Sequence, residues 1–506
     1  MVTTKRPFRP PRLAAFSVLP ASLLLAVAPL SAQTPPSAGC IHAASLPIRI
    51  CGASEEEQPR AAGLLALAER CWQAAVGALG LTEPWRLDTQ GAPEPGLSLE
   101  FVDDPLQPAA ELQPLADVPG TPHADCATRL ALGRGFPVDL QQRQLVYELL
   151  RAMQAADDCA ERQQELVPHY LALLLQERLG LAGEGGSAEY VAWLNDHFLG
   201  IFQANPDFSL DFTTPSMTEL DLYPVGQTLF AMYLDQRWGS GDGRLLARAL
   251  HAGRQEGSVI VRGRRVDLAA GQANEPDLYD ALDLVLAEQG GSFWQAVAEF
   301  GVWRFFCGAF ADGDHLRHAG LIRGAAVAAM HGLDQLPLQE QLSPREPQET
   351  GSVYIDLELA GLPGEANEEQ LLFELRSDGG EAWYLAALVF DGAGGHRLVE
   401  GGAQEGGTAR LVAGGLAGMQ HVVFLVTCLG DQLHDPDERD WATVPFRYSL
   451  RRISVPRVDQ VQPARLRQGE QDVALLVRGA GFVPGIAAQL GPGIAVKELL
   501  LERTGS

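Results

Sequence analysis

The period of the hydrophobic residues changes near residue 336, and this change constrains the fold more than any other feature of the sequence. Before it, apolar residues recur about every 3.6 positions, as in residues 61–79, which is typical of amphipathic helices. From residue 350 the period is two, as in residues 353–359, with glycine-rich turns between short segments. We therefore expect an α+β multidomain protein, in which a mostly α-helical domain at 33–335 precedes an all-β sandwich domain at 350–452.

The regions between and beyond these two domains have their own compositions. Residues 336–349 are rich in Pro, Gln and Glu, which is typical of a linker, so we expect the flanking domains to fold separately. Farther on, Pro463, a Gly-Ala-Gly-Phe turn at 479–482 and a Pro-Gly turn at 484–485 resemble the opening strands of a bacterial immunoglobulin-like module of the IPT/TIG kind. Such a sandwich needs roughly 80–100 residues, so we expect 453–506 to be a partial module.

The amino terminus has the three parts of a signal peptide. Residues 1–12 carry four basic residues and no acid, and the apolar stretch that follows ends in Leu-Ser-Ala. An uncleaved membrane anchor is the alternative, but Pro20 and Pro29 interrupt the apolar stretch. We therefore expect a signal peptide at 1–32, cleaved near Ala32, and a mature chain that has no membrane span.

Charge and cysteine content suit a chain outside the cytoplasm. The formal net charge is −26, and a surface this acidic repels nucleic acid and anionic membranes. All seven cysteines follow the signal peptide and none forms a zinc-binding Cys/His pattern, so we expect disulfides. Loop length favours Cys40 with Cys51, and Cys126 with Cys159 is a second candidate pair, although the connectivity stays open and one cysteine is left over. We expect a secreted, periplasmic or cell-surface protein whose partner is an extracellular or envelope protein or peptide.

One helical segment carries the pattern of a metal site. In residues 145–154 the apolar positions lie on one helical face, whereas Tyr147 and Arg151, four residues apart, share another. In zinc peptidases the motif HExxH places two histidine ligands at these two positions and a general-base Glu after the first. Here the pattern is YExxR, so Glu148 keeps the general-base position while both ligand positions differ.

Three later segments extend this pattern into a resemblance to a known family. They are an ExxA-like helix start at 165–177, a Y…F..YL..RxG-like helix at 223–239 and a GGSF…F..WRxFxG-like ending at 290–308. Together with the YExxR helix they resemble a secreted, myxobacterial-type zinc metalloprotease family of the gluzincin-like kind, over about residues 60–450. The resemblance implies that the helical domain is zincin-like, and it places His169 where that family has the Glu that is its third zinc ligand.

The departures from the family pattern decide what chemistry we expect. Arg151 is cationic and cannot be deprotonated, and Tyr147 keeps its proton unless a metal helps to remove it. A catalytic zinc needs three protein ligands, and only His169 is left to donate. We therefore expect no cofactor and a catalytically inactive, metallopeptidase-like protein that acts by binding, with Glu148 as a vestigial general base.

Two other functions stay open. One is an active secreted zinc endopeptidase with a non-standard site, which would require zinc, and the other is a surface adhesin or structural protein. Simpler interpretations of the single residues also stand: Glu148 and Arg151 fit an ordinary ion pair within a helix, and His169 fits the first turn of a helix. His315 and His318 lie in an acidic loop, where a solvated turn is favoured over a metal site.

Overall fold

The computed structural model describes residues 39–103, 107–118, 125–159, 165–180, 186–213, 218–254, 258–261, 264–267, 277–359, 369–430, 441–454, 457–463 and 474–480. The expected signal peptide at 1–32 lies outside these residues. By their contacts, residues 38–506 group as one unit.

The helices lie before residue 306. Their bounds are Gln58–Trp72 (α1), Val138–Asp157 (α2), Pro168–Arg178 (α3), Gly186–Leu194 (α4), Gly200–Ala204 (α5), Thr228–Arg237 (α6), Arg244–Ala252 (α7), Leu278–Ala287 (α8) and Phe293–Phe305 (α9). Helical turns of the π type continue α1 over Gln73–Leu79 and α4 over Asn195–Leu199. Turns of the 3-10 type occupy Glu55–Glu57, Glu219–Gln227, Gly308–Phe310, Ala319–Leu321 and Leu333–Gln335.

Strands occur both before and after these helices. Their bounds are Ile41–His42 (β1), Ile48–Cys51 (β2), Trp85–Leu87 (β3), Pro93–Pro95 (β4), Leu97–Val102 (β5), Glu111–Asp117 (β6), Cys126–Gly133 (β7), Ser258–Val261 (β8), Arg264–Asp267 (β9), Ala329–Gly332 (β10), Leu338–Leu342 (β11), Ser352–Glu358 (β12), Glu369–Ser377 (β13), Trp383–Asp391 (β14), His396–Gln404 (β15), Thr408–Ala413 (β16), Met419–Cys428 (β17), Phe446–Ser454 (β18), Arg457–Gln462 (β19) and Leu476–Ala480 (β20).

The first part of the unit is rich in β-structure. Strands β1–β7 form one mixed sheet, in which β2, β5 and β7 run parallel and β6 pairs antiparallel with β7. The expected layout, a mostly α-helical zincin-like domain at 33–335 followed by an all-β region, is therefore wrong. These strands are only two to eight residues long, and several pair with strands distant in the sequence, so they leave little local period to detect.

Helices α1 and α2 pack on this sheet and on each other. Leu64 of α1 and Leu149 of α2 are buried with Leu99 of β5 in one hydrophobic core. The next helix, α3, lies against α2. Helix α2 therefore contacts the sheet, α1 and α3.

The carboxyl-terminal part of the described chain contains two facing sheets. One has the order β10-β12-β17-β14-β15 and the other β11-β18-β13-β16. Side chains such as Phe373 and Phe424, whose rings stack with centroids 4.9 Å apart, fill the core between the sheets. The opposite face of the five-stranded sheet packs on the helices, and there Tyr354 donates a hydrogen bond to the Gly301 carbonyl over 2.6 Å.

The expected linker at 336–349 is part of these sheets. Residues Leu338–Leu342 form β11 and pair with β18, and β10, which precedes the expected boundary, pairs in parallel with β12. The sheets therefore continue across the expected boundary, and the five-stranded sheet shares a hydrophobic core with the helices. The apolar run of β14, buried at eight consecutive positions, shows the reason, because a strand covered on both faces shares its core with the layer on each side.

The expected partial immunoglobulin-like module at 453–506 lies largely outside the described residues. What the structure describes there is the end of β18 and an antiparallel pair, β19 with β20.

Two disulfides join residues of the first sheet region. Cys40 bonds to Cys51 and Cys126 bonds to Cys159, with Cα–Cα distances of 4.1 and 5.4 Å, and these are the two candidate pairs of the sequence analysis. The second disulfide ties the start of β7 to Cys159, two residues after the end of α2. Among the described residues, no helix is both long enough and apolar enough to cross a membrane.

Candidate functional site

Helices α2 and α3 bring together the residues of the YExxR pattern. The apolar face of α2, including Val146, Leu149 and Met153, is buried in the core, whereas Tyr147 and Arg151 lie on another face that is only partly buried. α3 begins at Pro168, which suits the first turn of a helix, and places His169 beside that second face. The rings of Tyr147 and His169 stack with centroids 4.1 Å apart.

Glu165 joins these two rings, and it is a functional candidate that the sequence analysis did not assign. The Tyr147 hydroxyl donates a hydrogen bond to the Glu165 carboxylate. His169 Nε2 lies 3.6 Å from the same carboxylate oxygen, and His169 Nδ1 lies 3.4 Å from the Tyr190 hydroxyl. The signal that would have found Glu165 is its spacing, four residues before His169, just ahead of a helix that begins with proline.

Glu148 is buried and bound on two sides. Its side chain is only 4% exposed, and the Arg151 guanidinium donates to its carboxylate over 3.3 Å. The same oxygen accepts the backbone N–H of Leu112, in strand β6, over 3.0 Å. The carboxylate at the general-base position therefore joins α2 to the sheet. We refer to Tyr147, Glu148, Arg151, Glu165 and His169 as the 147–169 cluster.

Burial controls the proton balance of the 147–169 cluster. It raises the pKa of Glu148 to about 7, although the Arg151 charge opposes that shift. It raises the pKa of Glu165 as well, and with the Glu165 charge it raises the pKa of the Tyr147 phenol far above its usual value. Burial and the Arg151 charge lower the pKa of His169 to about 3. The phenol and the imidazole are therefore both neutral near pH 7.

The donor set of this cluster does not fit a catalytic zinc. The Arg151 guanidinium offers only N–H donors and a fixed positive charge, and the Tyr147 phenol is engaged by Glu165. Among the described residues, no three of the cluster's His and Glu ligand atoms converge within 4.8 Å of one another. The polar groups of the cluster instead form hydrogen bonds with one another, from Tyr147 to Glu165 and from Arg151 to Glu148.

The edge of strand β6 beside the cluster offers few backbone groups to an added strand. The outward N–H of Leu112 is already donated to Glu148, and Pro114, the next residue on the same edge, has no N–H. Proline and consumed donors on an edge strand oppose pairing with another chain. Recognition of an extended peptide by strand addition is therefore disfavoured at 112–114.

A row of aromatic rings runs from the cluster to the surface. Phe198 lies 5.8 Å from His169 between ring centroids, and Trp193 lies 5.3 Å from Phe198. Trp193 also stacks against Tyr190 at 5.5 Å. The Trp193 side chain is 36% exposed. We call His169, Phe198, Tyr190 and Trp193 the aromatic row; the sequence analysis did not identify it, because its members lie on different turns of three elements.

Comparison with known protein families finds no matching family model, and comparison with curated proteins finds no similar sequence.

Proposed function

We propose that the chain is an exported, metallopeptidase-related protein that is catalytically inactive at the 147–169 cluster and acts by binding a polypeptide. The observation that carries this proposal is the pair of hydrogen bonds on Glu148, from Arg151 and from the Leu112 backbone. A general base in a zinc peptidase activates a metal-bound water. The Glu148 carboxylate instead accepts hydrogen bonds from the Arg151 guanidinium and from the backbone of strand β6.

The proposed inactivity follows from charge and hydrogen bonding. Arg151 places a cation on the face where the HExxH pattern has a ligand, so a divalent metal ion there is repelled. Tyr147 directs its proton to Glu165. Binding a metal would require breaking that hydrogen bond and deprotonating a buried phenol, and both steps cost free energy.

The proposed binding surface is the exposed end of the aromatic row. A partly exposed tryptophan supported by other rings is the kind of side chain that anchors binding partners. Trp193 has that support from Tyr190 and Phe198. Because the chain is strongly acidic, an extracellular or envelope protein or peptide is a better partner than nucleic acid.

Export is supported by the tripartite amino terminus and by the two disulfides, because such bonds persist in oxidising compartments. A structural or adhesive role of the β-sheets is the competing function. Deleting those sheets would not test it, because the five-stranded sheet shares its core with the helices.

The test uses the mature chain, residues 33–506, produced with its disulfides formed, and fluorescein-labelled denatured casein as the probe. We expect no cleavage of casein, with or without added zinc, and binding that raises fluorescence anisotropy. Trp193→Ala should weaken binding about tenfold, as for a tryptophan anchor worth about 1.4 kcal/mol. Trp294→Ala, which removes a partly buried tryptophan of α9 outside the aromatic row, is the matched control and should leave binding unchanged.

Two outcomes would overturn the proposal. Cleavage that a chelator blocks and that Glu148→Gln abolishes would identify an active zinc peptidase. Absence of casein binding, or binding that is equally strong in the Trp193→Ala variant, would move the function to another surface, as expected for an adhesin or structural protein.

A further inference from the structure

Two parts of the chain that are distant in sequence bring three ligand-type side chains together, away from the 147–169 cluster. Asp312 and His315 lie in the loop that follows α9, and His396 is the first residue of β15. One ligand atom from each of the three lies within 4.8 Å of the other two, and among the described residues this is the group that meets that condition.

The two carboxylate oxygens of Asp312 both lie near His315 Nδ1, which is 3.0 Å from Oδ1, but they differ in their other contacts. Oδ1 accepts the backbone N–H groups of Asp314 and His315, each over 3.0 Å, and these bonds fix the orientation of the carboxylate. Oδ2 lies 2.8 Å from His315 Nδ1 and 3.6 Å from His396 Nε2. Two imidazole nitrogens therefore approach a single carboxylate oxygen.

These separations are close to those that a metal ion requires. Zinc bonds of about 2.0–2.2 Å in a tetrahedron place neighbouring ligand atoms about 3.3 Å apart. The observed separations from Oδ2, 2.8 and 3.6 Å, lie on either side of that value. Two of the three separations are therefore near the tetrahedral spacing, and the third, between the two imidazole nitrogens, is no more than 4.8 Å.

Aromatic packing holds both imidazoles in place. The Phe306 ring is buried and stacks on His315 with centroids 3.9 Å apart and planes 10° from parallel. The same ring lies 4.4 Å from His396, and Trp303 contacts His315 edge-on at 5.1 Å. Ligands fixed by packing lose little freedom when a metal binds.

The three side chains are partly buried but reachable from solvent. Their exposed fractions are 19% for Asp312, 15% for His315 and 24% for His396. Such a site admits an ion and leaves room for water at a remaining coordination position. A simple histidine–aspartate hydrogen bond would explain His315, but it does not explain why His396, which lies in strand β15 rather than in the loop, places Nε2 near the same carboxylate oxygen.

We propose that Asp312, His315 and His396 bind one divalent transition-metal ion, with zinc the best match to a ligand set of two imidazoles and one carboxylate. The ion would tie the loop after α9 to the first residue of β15. This proposal departs from the solvated turn that the sequence favours at His315. His318 does not join the site, since its Nε2 lies 3.2 Å from the Ser187 hydroxyl and 3.7 Å from Glu177.

The test uses the mature chain, freed of metal with a chelator and titrated with Zn²⁺ by calorimetry and with Co²⁺ by visible absorption. We expect one ion per chain and a rise in the midpoint of thermal unfolding when zinc is added. His396→Ala should weaken zinc binding roughly 100-fold or more, because even the loss of an outer-shell partner costs 10–100-fold. His315→Gln and Asp312→Asn should do the same.

Two control variants separate this site from others. His421→Ala removes a histidine that pairs with a single carboxylate, Asp356, at 3.2 Å, and should leave zinc binding unchanged. His169→Ala should also leave it unchanged, so zinc at this site does not bear on the inactivity of the 147–169 cluster. The proposal is overturned if the metal-free chain takes up no zinc at micromolar concentration, or if correctly folded His396→Ala and His315→Gln variants bind zinc as the unmodified chain does.

Discussion

The imidazole of His169 stacks on the phenol of Tyr147, and both side chains approach one oxygen of Glu165. These two residues, which the family resemblance would align with zinc-ligand positions, thus contact each other directly and through a shared carboxylate. Hydrogen bonds and ring stacking hold this network together. Its contribution to the free energy of unfolding can therefore be measured by removing single groups.

Removing the Tyr147 hydroxyl should destabilise the fold. We expect Tyr147→Phe to lower the free energy of unfolding by about 1–3 kcal/mol, since the buried Glu165 carboxylate loses a donor while the ring stack remains. Urea unfolding followed by circular dichroism measures this. Tyr384→Phe, which removes a hydroxyl bound to Glu400 over 3.1 Å, is the matched control. An equal or larger effect in the control variant would contradict the role given to Glu165.

Arg151 and Glu148 should prove coupled. Arg151→Met leaves a buried carboxyl without its cation, and we expect a loss of about 2–3 kcal/mol, reduced from the cost of a fully buried pair because Arg151 is 18% exposed. The double variant with Glu148→Gln should recover part of that loss. Arg129→Met breaks a more exposed pair with Glu100 and should cost less than about 1 kcal/mol. Additive single effects in the double variant would refute the coupling.

His169 should shape the acid side of the stability profile. Its folded pKa is lowered to about 3, whereas the unfolded imidazole gains a proton below about pH 6.5. The unfolded state therefore binds more protons between these values, and the stability that His169 contributes above pH 6.5 is lost as pH falls through this window. Replacing it by Gln should make the loss shallower by up to about 1.4 kcal/mol per pH unit. Parallel profiles for the two proteins would show that His169 is not held neutral.

Helical spacing was sufficient to place part of the candidate site. Tyr147 and Arg151 fall on one face of α2 by simple periodicity, and the next helix begins near His169. The residues that contact this face of α2 could not be predicted from the sequence. The bond from Leu112 to Glu148 depends on how β6 lies against α2, and the position of Phe198 depends on a π-type turn. Neither leaves a local pattern in the sequence.

The fold was harder to predict than the site. Strands after residue 350 such as 353–359 have a clear period of two, but the apolar run of β14 is buried at eight consecutive positions because both of its faces are covered, which a period of two does not predict. In the amino-terminal sheet some strands are very short, such as the three-residue strand Trp85–Leu87 (β3). Their existence depends on non-local pairing, which composition and period do not record.

The shared core predicts a single unfolding transition. Because Tyr354 of β12 bonds to Gly301 of α9 and both lie in continuous packing, helices and sheets should melt together. Ellipticity at a helix-sensitive wavelength and tryptophan fluorescence should give coincident urea midpoints. Two separated transitions would restore the view that the helical and β regions fold independently.

Zinc binding should be recoverable at the 147–169 cluster. Tyr147→His with Arg151→His introduces two imidazoles on one face of α2, removes the cation, and leaves His169 and Glu165 nearby as further ligands. Both substitutions are introduced into a His315→Ala, His396→Ala variant, so that the zinc site proposed at Asp312, His315 and His396 does not contribute to the measurement. We expect the combined variant to bind zinc at least about tenfold more tightly than that background, measured by calorimetry. Tyr147→His alone should gain little, because Arg151 remains. If the combined variant stays folded and gains no zinc affinity, positions 147, 151 and 169 do not converge as they do in an HExxH peptidase, and the family resemblance loses its structural basis.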